Sequence, residues 1–174
     1  MGTGASLGGP GTRLVVEPTG GAIECITFGD SFNNPPHGVL GGTPGSGGGQ
    51  YVEGTDGKRR YFTVSGRVLI EPGEKWVGIS SGGGGYGNPH ERDPGRVLDD
   101  AVQGIISRET ALSTFGVSLT GEGRNLKVDE EATAAERARL GSESRPRIEP
   151  TEPGTSKWAS EHMRPGDEML VNPT

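Results

Sequence analysis

The chain has 174 residues, enough for one domain, but only 29% are hydrophobic and 33 are glycine, which leaves little apolar material for a core of ordinary size. A net charge of −6 without any Lys/Arg cluster argues against nucleic acid or an anionic membrane surface as partner, and no apolar run reaches the ~18 residues of a spanning helix. The opening MGTGASLGGPGT has neither the charged nor the apolar part of a signal peptide, so a cytoplasmic location is expected, and the lone Cys25 excludes an internal disulfide. Apolar burial returns about 25 cal/mol per Å² while ordering a residue costs about 1–2 kcal/mol. Much of such a chain is therefore expected to be ordered by a partner.

In chain order, residues 1–11 carry no periodicity and read as an N-terminal arm that lies on a partner or is loose. Leu14–Val16 and Ile23–Phe28 are β-rich runs separated by Pro18-Thr19-Gly20-Gly21, which predicts a hairpin. Cys25, between Ile23 and Ile26, reads as a buried small residue rather than a reactive thiol. The Gly/Pro-rich stretch 29–50 is irregular, with Phe32, Val39 and Leu40 as anchors. A loop of that length in a compact domain is functional or lies on another surface. Asp56-Gly57 predicts a hairpin between Tyr51-Val52 and Arg60–Val64. Glu71-Pro72-Gly73-Glu74 predicts a type II turn between Val68–Ile70 and Lys75–Ile79. The strands amount to a small antiparallel unit.

Next comes a glycine run, Gly82, Gly83, Gly84, Gly85, then Tyr86 and Gly87. Such density fits a backbone that approaches another surface with no Cβ in the way. Two short helices follow. Asp93 is a good N-cap with Pro94 at the first helical position and Gly104 at the exit, and Ser107 caps a second helix that Gly116 ends, with Ile106 placed to staple onto Ala111. Val97, Leu98, Ala101, Val102, Ile105, Leu112 and Phe115 predict one apolar face over both. A third helix is expected over residues 129–140, capped by Asp129, with Arg137 and Arg139 at its C-terminal end and Gly141 as its stop. The fold class is α+β: a β-rich unit and two or three short helices over residues 12–141, between the arm 1–11 and an extended C-terminal arm 142–174. In that second arm Trp158 and Met163 read as anchors for a partner.

No constellation of catalytic groups stands out. Gly82, Gly84 and Gly87 formally match a dinucleotide fingerprint, but Pro89 stops a helix from opening on the last glycine and no Lys-Ser/Thr pair follows. The run is a candidate for close packing against a neighbouring chain or, as a second reading, for an anion nest. His37, His90 and His162 are not at metal-ligand spacing, so no metal site is expected. His90, beside Glu91, Arg92 and Asp93, could act as an acid or base, but a side chain in a capped turn is the favoured reading. Asp99-Asp100 and Glu130-Glu131 are adjacent pairs that diverge on a helix, and no base partners Cys25 or a serine.

The segment GGGGYGNPHERDPGRVLDDAVQGIISRETALSTFGV, with HGVLGGTPG at His37–Gly45, resembles the C-terminal end of the hydantoinase B/oxoprolinase family over roughly residues 12–140. Asn88, His90 and Ala101-Val102-Gln103 depart from the usual family residues. The resemblance implies a small, mainly structural subunit, made separately from the large N-terminal body of hydantoinase B, in a hetero-oligomeric ATP-dependent enzyme. Its partners would be a large hydantoinase A-like and a truncated hydantoinase B-like chain. ATP, with or without a divalent metal, would be bound by those partners and no cofactor by this chain alone. An acetophenone- or acetone-type carboxylase is expected ahead of a hydantoinase or oxoprolinase, with a non-enzymatic adaptor as the rival.

Overall fold

The computed structural model describes residues 1–29, 31, 34–62, 65–141 and 157–170. In chain order the elements are β1 (Arg13–Val16), β2 (Ile23–Phe28), β3 (Gly49–Glu53), β4 (Arg59–Phe62), β5 (Ser65–Ile70), β6 (Lys75–Ile79), α1 (Pro94–Val102), α2 (Arg108–Phe115), β7 (Leu119–Thr120), β8 (Lys127–Val128), α3 (Glu130–Gly141), α4 (Lys157–His162) and β9 (Glu168–Leu170). This is the α+β class expected from the sequence.

A five-stranded sheet in the order β1-β6-β3-β4-β9 forms the middle of the β unit. Successive residues of a strand face opposite sides, and here the two sides bury different partners. Tyr51, Tyr61 and Val77, with Ile79 and Met169, pack against Trp158, Ala159 and Met163 of the C-terminal segment. Their neighbours Val52, Phe62, Trp76 and Leu170 pack on the other side against Val68, Ile70 and Cys25 of the β2–β5 ribbon. Gln50, almost fully buried on that side, is held by both layers: its Nε2 donates to Thr27 Oγ1 (2.8 Å) and its Oε1 accepts from Trp76 Nε1 (3.3 Å).

The Asp56-Gly57 hairpin joins β3 and β4 as expected, with Gly54 N–H donating to the Lys58 carbonyl at 2.9 Å and Gly57 at φ 78°. The turn at Glu71–Glu74 also forms, closed by Glu74 N–H on the Glu71 carbonyl (3.0 Å) with Gly73 at φ 90°. Its flanking strands do not pair. β1 and β2 do not form the expected hairpin either: β1 pairs with β6 and β2 with β5, both antiparallel. The reason is the layering. Each of these connections carries the chain between the central sheet and the ribbon, so the strands it joins bury their apolar faces in different layers.

The tail corrects the sequence reading in the same way. Instead of an extended arm awaiting a partner, 157–170 folds back on its own chain. β9 lies parallel to β4, Asp167 Oδ1 accepts from Arg59 N–H (3.0 Å), and the Tyr61 hydroxyl donates to the His162 carbonyl (3.1 Å). Trp158 stacks on His162 with ring centroids 4.5 Å apart and passes directly over Gly49, where a Cβ would overlap the indole. The anchors Trp158 and Met163 are thus used within the chain.

The helical unit has its own core of Val97, Ile106, Ala111, Phe115, Val117 and Leu119, joined by Leu98, Ala101, Leu126 and Val128. Its ends are those read from the sequence. Asp93 Oδ1 accepts from Arg96 N–H (3.0 Å), Ser107 Oγ from Thr110 N–H (3.1 Å), and Gly116 closes α2 at φ 62°. Val102, Ile105 and Leu112, expected on the same apolar face, are exposed. Asp129 caps α3 through Ala132 N–H (3.0 Å). Arg137, expected to serve the helix dipole, instead reaches across to the Phe115 carbonyl (3.2 Å) and the Arg92 carbonyl (2.6 Å).

Candidate functional site

The glycine run does approach other backbone closely, but that backbone belongs to the same chain. Residues 82–87 lie between the N-terminal segment and the 36–45 loop and are hydrogen-bonded to both. Toward the N-terminal side, Gly2 N–H donates to the Gly83 carbonyl (2.8 Å), Gly83 N–H to Gly9 (2.9 Å), and Ser6 and Tyr86 exchange N–H···O bonds at 3.0 Å. Toward the loop, Gly85 N–H donates to Thr43, Val39 N–H to Gly85, and Gly87 N–H to Val39, each at 2.9 Å. Thr43 N–H donates to the Thr3 carbonyl (2.8 Å), closing the circuit between the outer segments. A Cβ on Gly85 would overlap the Thr3 carbonyl, and one on Gly84 the His37 carbonyl. The arm 1–11 is therefore part of the module, and contacts expected from a partner are supplied internally.

The amides of Gly82, Gly83, Gly85, Tyr86 and Gly87 all donate within the chain, Gly82 to Ser46 Oγ at 3.1 Å. An anion nest here would have to break the braid. The braid presents large apolar side chains outward beside the polar Ser6 and His37. Val39, Leu40 and Tyr86 are exposed, and Leu40 is the one described non-glycine residue at positive φ (50°), a conformation unusual for a bulky side chain.

The turn after the braid fixes its orientation. Asn88 Oδ1 accepts from His90 N–H (2.8 Å) and caps the short 3₁₀ turn Pro89–Glu91. His90 is half-buried there, and the hydrogen bonds and charge of Arg139 hold the Glu136 carboxyl below its ordinary range. The residue that sequence reasoning missed is Arg92. Buried at 7% exposure, its Nε and Nη2 both donate to Asp100 Oδ2 (3.2 and 2.7 Å) and its Nη1 donates to the Ala5 carbonyl (3.1 Å). One guanidinium thus ties α1 to the braid. A signal for it existed: the spacing Val97, Asp100, Ala101 puts Asp100 on the buried stripe of α1, where a carboxylate needs a cation.

Beside this pair lies an open groove of ≈ 610 Å³ lined by Leu7 and Pro10 of the N-terminal segment and by Arg92, Arg96, Asp100 and Ile105. Among the described residues no group of three or more His, Cys, Asp or Glu side chains gathers for a metal, and no helix is long and apolar enough to cross a membrane. Cys25 is half-buried, and burial raises its thiol pKa.

The fold and braid define a small α+β module whose glycine run packs against backbone of its own chain. A model of the Hydantoinase B/oxoprolinase family matches residues 1–89, which takes in all three braid segments, and the chain belongs to that family. It is 33% identical over 148 residues to caprolactamase subunit beta of Pseudomonas jessenii, covering 79% of this chain and 24% of that one. It is 35% identical over 92 residues to the acetophenone carboxylase delta subunit of Aromatoleum aromaticum, covering 53% of this chain and 13% of that one. The crystal structure of the ATP-dependent caprolactamase from Pseudomonas jessenii superposes with a TM-score of 0.56 at 28% identity over 78% of this chain and 24% of that one. The chain therefore spans about a quarter or less of the length of these relatives.

Proposed function

We propose that this chain is a mainly structural part of the hydantoinase B side of an ATP-dependent enzyme complex, in which a hydantoinase A-like chain binds ATP and any divalent metal. The observation that carries this reading is the extent of likeness to caprolactamase subunit beta, over 79% of the chain in sequence and 78% in structure. The braid supports a structural role, since the amides of Gly82, Gly83, Gly85, Tyr86 and Gly87 are engaged within the chain and its exposed side chains Val39, Leu40 and Tyr86 suit contact with apolar protein. A use of ATP fits a cytoplasmic setting.

For the reaction we favour ATP-driven opening of a cyclic amide, as in hydantoinases and oxoprolinases, because the likeness to the caprolactamase subunit extends further along the chain than that to the carboxylase subunit. Carboxylation of a ketone, ranked first from the resemblance, is the second reading and has the acetophenone carboxylase delta subunit in its favour. The test is purification of the complex from the native source, followed by ATP turnover with hydantoin, 5-oxoproline or ε-caprolactam, and separately with acetone or acetophenone plus bicarbonate. Stimulation by a cyclic amide supports the favoured reaction, and stimulation needing both ketone and bicarbonate supports the second. Recovery of the chain on an unrelated protein with no ATP-using partner would refute both and leave an adaptor.

A further inference from the structure

β1 ends the central sheet, and its outer side is open: among the described residues no strand pairs with it beyond β6. At the opposite margin β9 covers β4. Ser80 N–H donates to the Thr12 carbonyl at 2.9 Å, which sets the phase of the β1–β6 ladder, because opposed residues in an antiparallel pair alternate between bonded and non-bonded. Thr12, Leu14 and Val16 are bonded to β6. The N–H and C=O of Arg13 and Val15 therefore point to the open side. The phase is consistent across the sheet: Gly54 bonds to Lys58, so Tyr51 is non-bonded toward β4 and turns its polar groups to Val77 of β6, which is itself non-bonded toward β1.

Beyond Arg13 the side chains along this edge are apolar, and they are uncovered on both faces. Leu14, opposite Gly78, is 56% exposed on the ribbon side, and Val15, opposite Val77, is 40% exposed on the α4 side. Free-standing edges are ordinarily blunted by lysine, proline or a bulge. β1 reads Arg-Leu-Val-Val in an unbroken register: its one charge, Arg13, lies at its start, and Leu14–Val16 carry no charge, proline or bulge.

We infer that β1 is the seam at which an extended strand of a hydantoinase B-type body joins this sheet. The inference rests on the proposed function and deepens it. Such a strand satisfies the outward amides and carbonyls of Arg13 and Val15, while its alternating apolar side chains cover Leu14 and Val15, the pattern of strand addition at a sheet edge. The occupant follows from length: this chain corresponds to 24% of caprolactamase subunit beta, so most of such a subunit has to be placed against the module.

The experiment uses the complex purified from the native source and residue-resolved amide exchange. Arg13 and Val15 amides are expected to exchange roughly 10²-fold slower than exposed amides, alongside Leu14, as ladder amides do. Val15→Pro removes an outward donor and leaves the bonds to β6 in place. It is expected to lower recovery with the body about tenfold or more, while Val15→Thr, which keeps the N–H and the branched shape, retains it. Leu14→Pro, which breaks a bond to β6, reports damage to the fold itself. Fast exchange at Arg13 and Val15 in an intact complex, or normal recovery of Val15→Pro, overturns the seam. Protection that instead appears with rising concentration of this chain alone assigns the edge to a second copy and also overturns it. Absence of any hydantoinase-type chain from the wild-type preparation is a separate result, which refutes the proposed function and the seam with it.

Discussion

Adding one methyl group at Gly85 should unfold the braid from within. Its N–H donates to Thr43 and its carbonyl accepts from Val39, both at 2.9 Å, and a Cβ would overlap the Thr3 carbonyl, with the Thr3 carbonyl carbon and nitrogen next nearest. All three are backbone atoms held by the Thr43-to-Thr3 bond at 2.8 Å, so no side chain can swing aside. Overpacking of this kind costs about 1–3 kcal/mol. Separating the segments weakens one or two hydrogen bonds of about 0.5–1.5 kcal/mol each. Gly85→Ala is therefore expected to cost roughly 2–5 kcal/mol, which at about 2–4 °C per kcal/mol for a chain of this size lowers Tm by roughly 4–20 °C. Gly9→Ala, where a Cβ meets nothing within 4 Å, is the control and should stay within about 0.5 kcal/mol. The assay is thermal or urea unfolding of the chain by itself, followed by tryptophan emission. If Gly85→Ala melts with the Gly9→Ala control and only assembly suffers, the glycines serve a partner's backbone and the internal braid is refuted.

His90→Gln should leave turnover of the assembled complex within a few-fold, because the backbone of His90 serves a capped turn; a loss of about 10²-fold with assembly intact would mark a general acid or base. Trp158→Ala should cost about 2–4 kcal/mol, less than the full loss of a core aromatic because the ring is only partly buried, and should speed amide exchange in β9 before β3 or β6. Gly49→Ala should produce the same pattern by displacing the indole. Asp167 loses solvation, which alone would raise its pKa, but the amides of Arg164 and Arg59 and the charges of both side chains prevail and hold it low. A depressed folded-state value means the stabilisation is complete above the ordinary carboxylate pKa of about 3.9 and is lost as pH falls through the folded value. Exchange in β9 should accordingly accelerate below about pH 4 while the β1–β6 ladder stays protected; Asp167→Asn should show the looser β9 already at neutral pH.

The parts of this protein legible in its sequence are those decided over a few residues. Asp93, Ser107 and Asp129 cap their helices and Gly116 ends α2, because a cap is a hydrogen bond to an amide two or three positions away. Asp56-Gly57 and Pro72-Gly73 make their turns for the same short-range reason. The glycine run likewise announced close backbone approach, and its motifs pointed to the family. The sequence could not say whose backbone approached. That was decided by Thr3, Thr43 and Val39, some 40 to 80 positions from Gly85, and local chemistry carries no record of such a meeting. Layer assignment had the same origin: the turns after β1 and β5 look like hairpin turns, yet the strands beside them part because their apolar faces fit different layers. The tail was misread because its sparse apolar residues, Trp158, Met163, Met169 and Leu170, find enough surface only on a sheet assembled from residues some 80 to 120 positions earlier. Arg92 and Asp100 lay between these cases. Each looks like a solvated charge in the linear chain, and it is the packing of α1 against the N-terminal segment that removes water from both and makes the pair necessary.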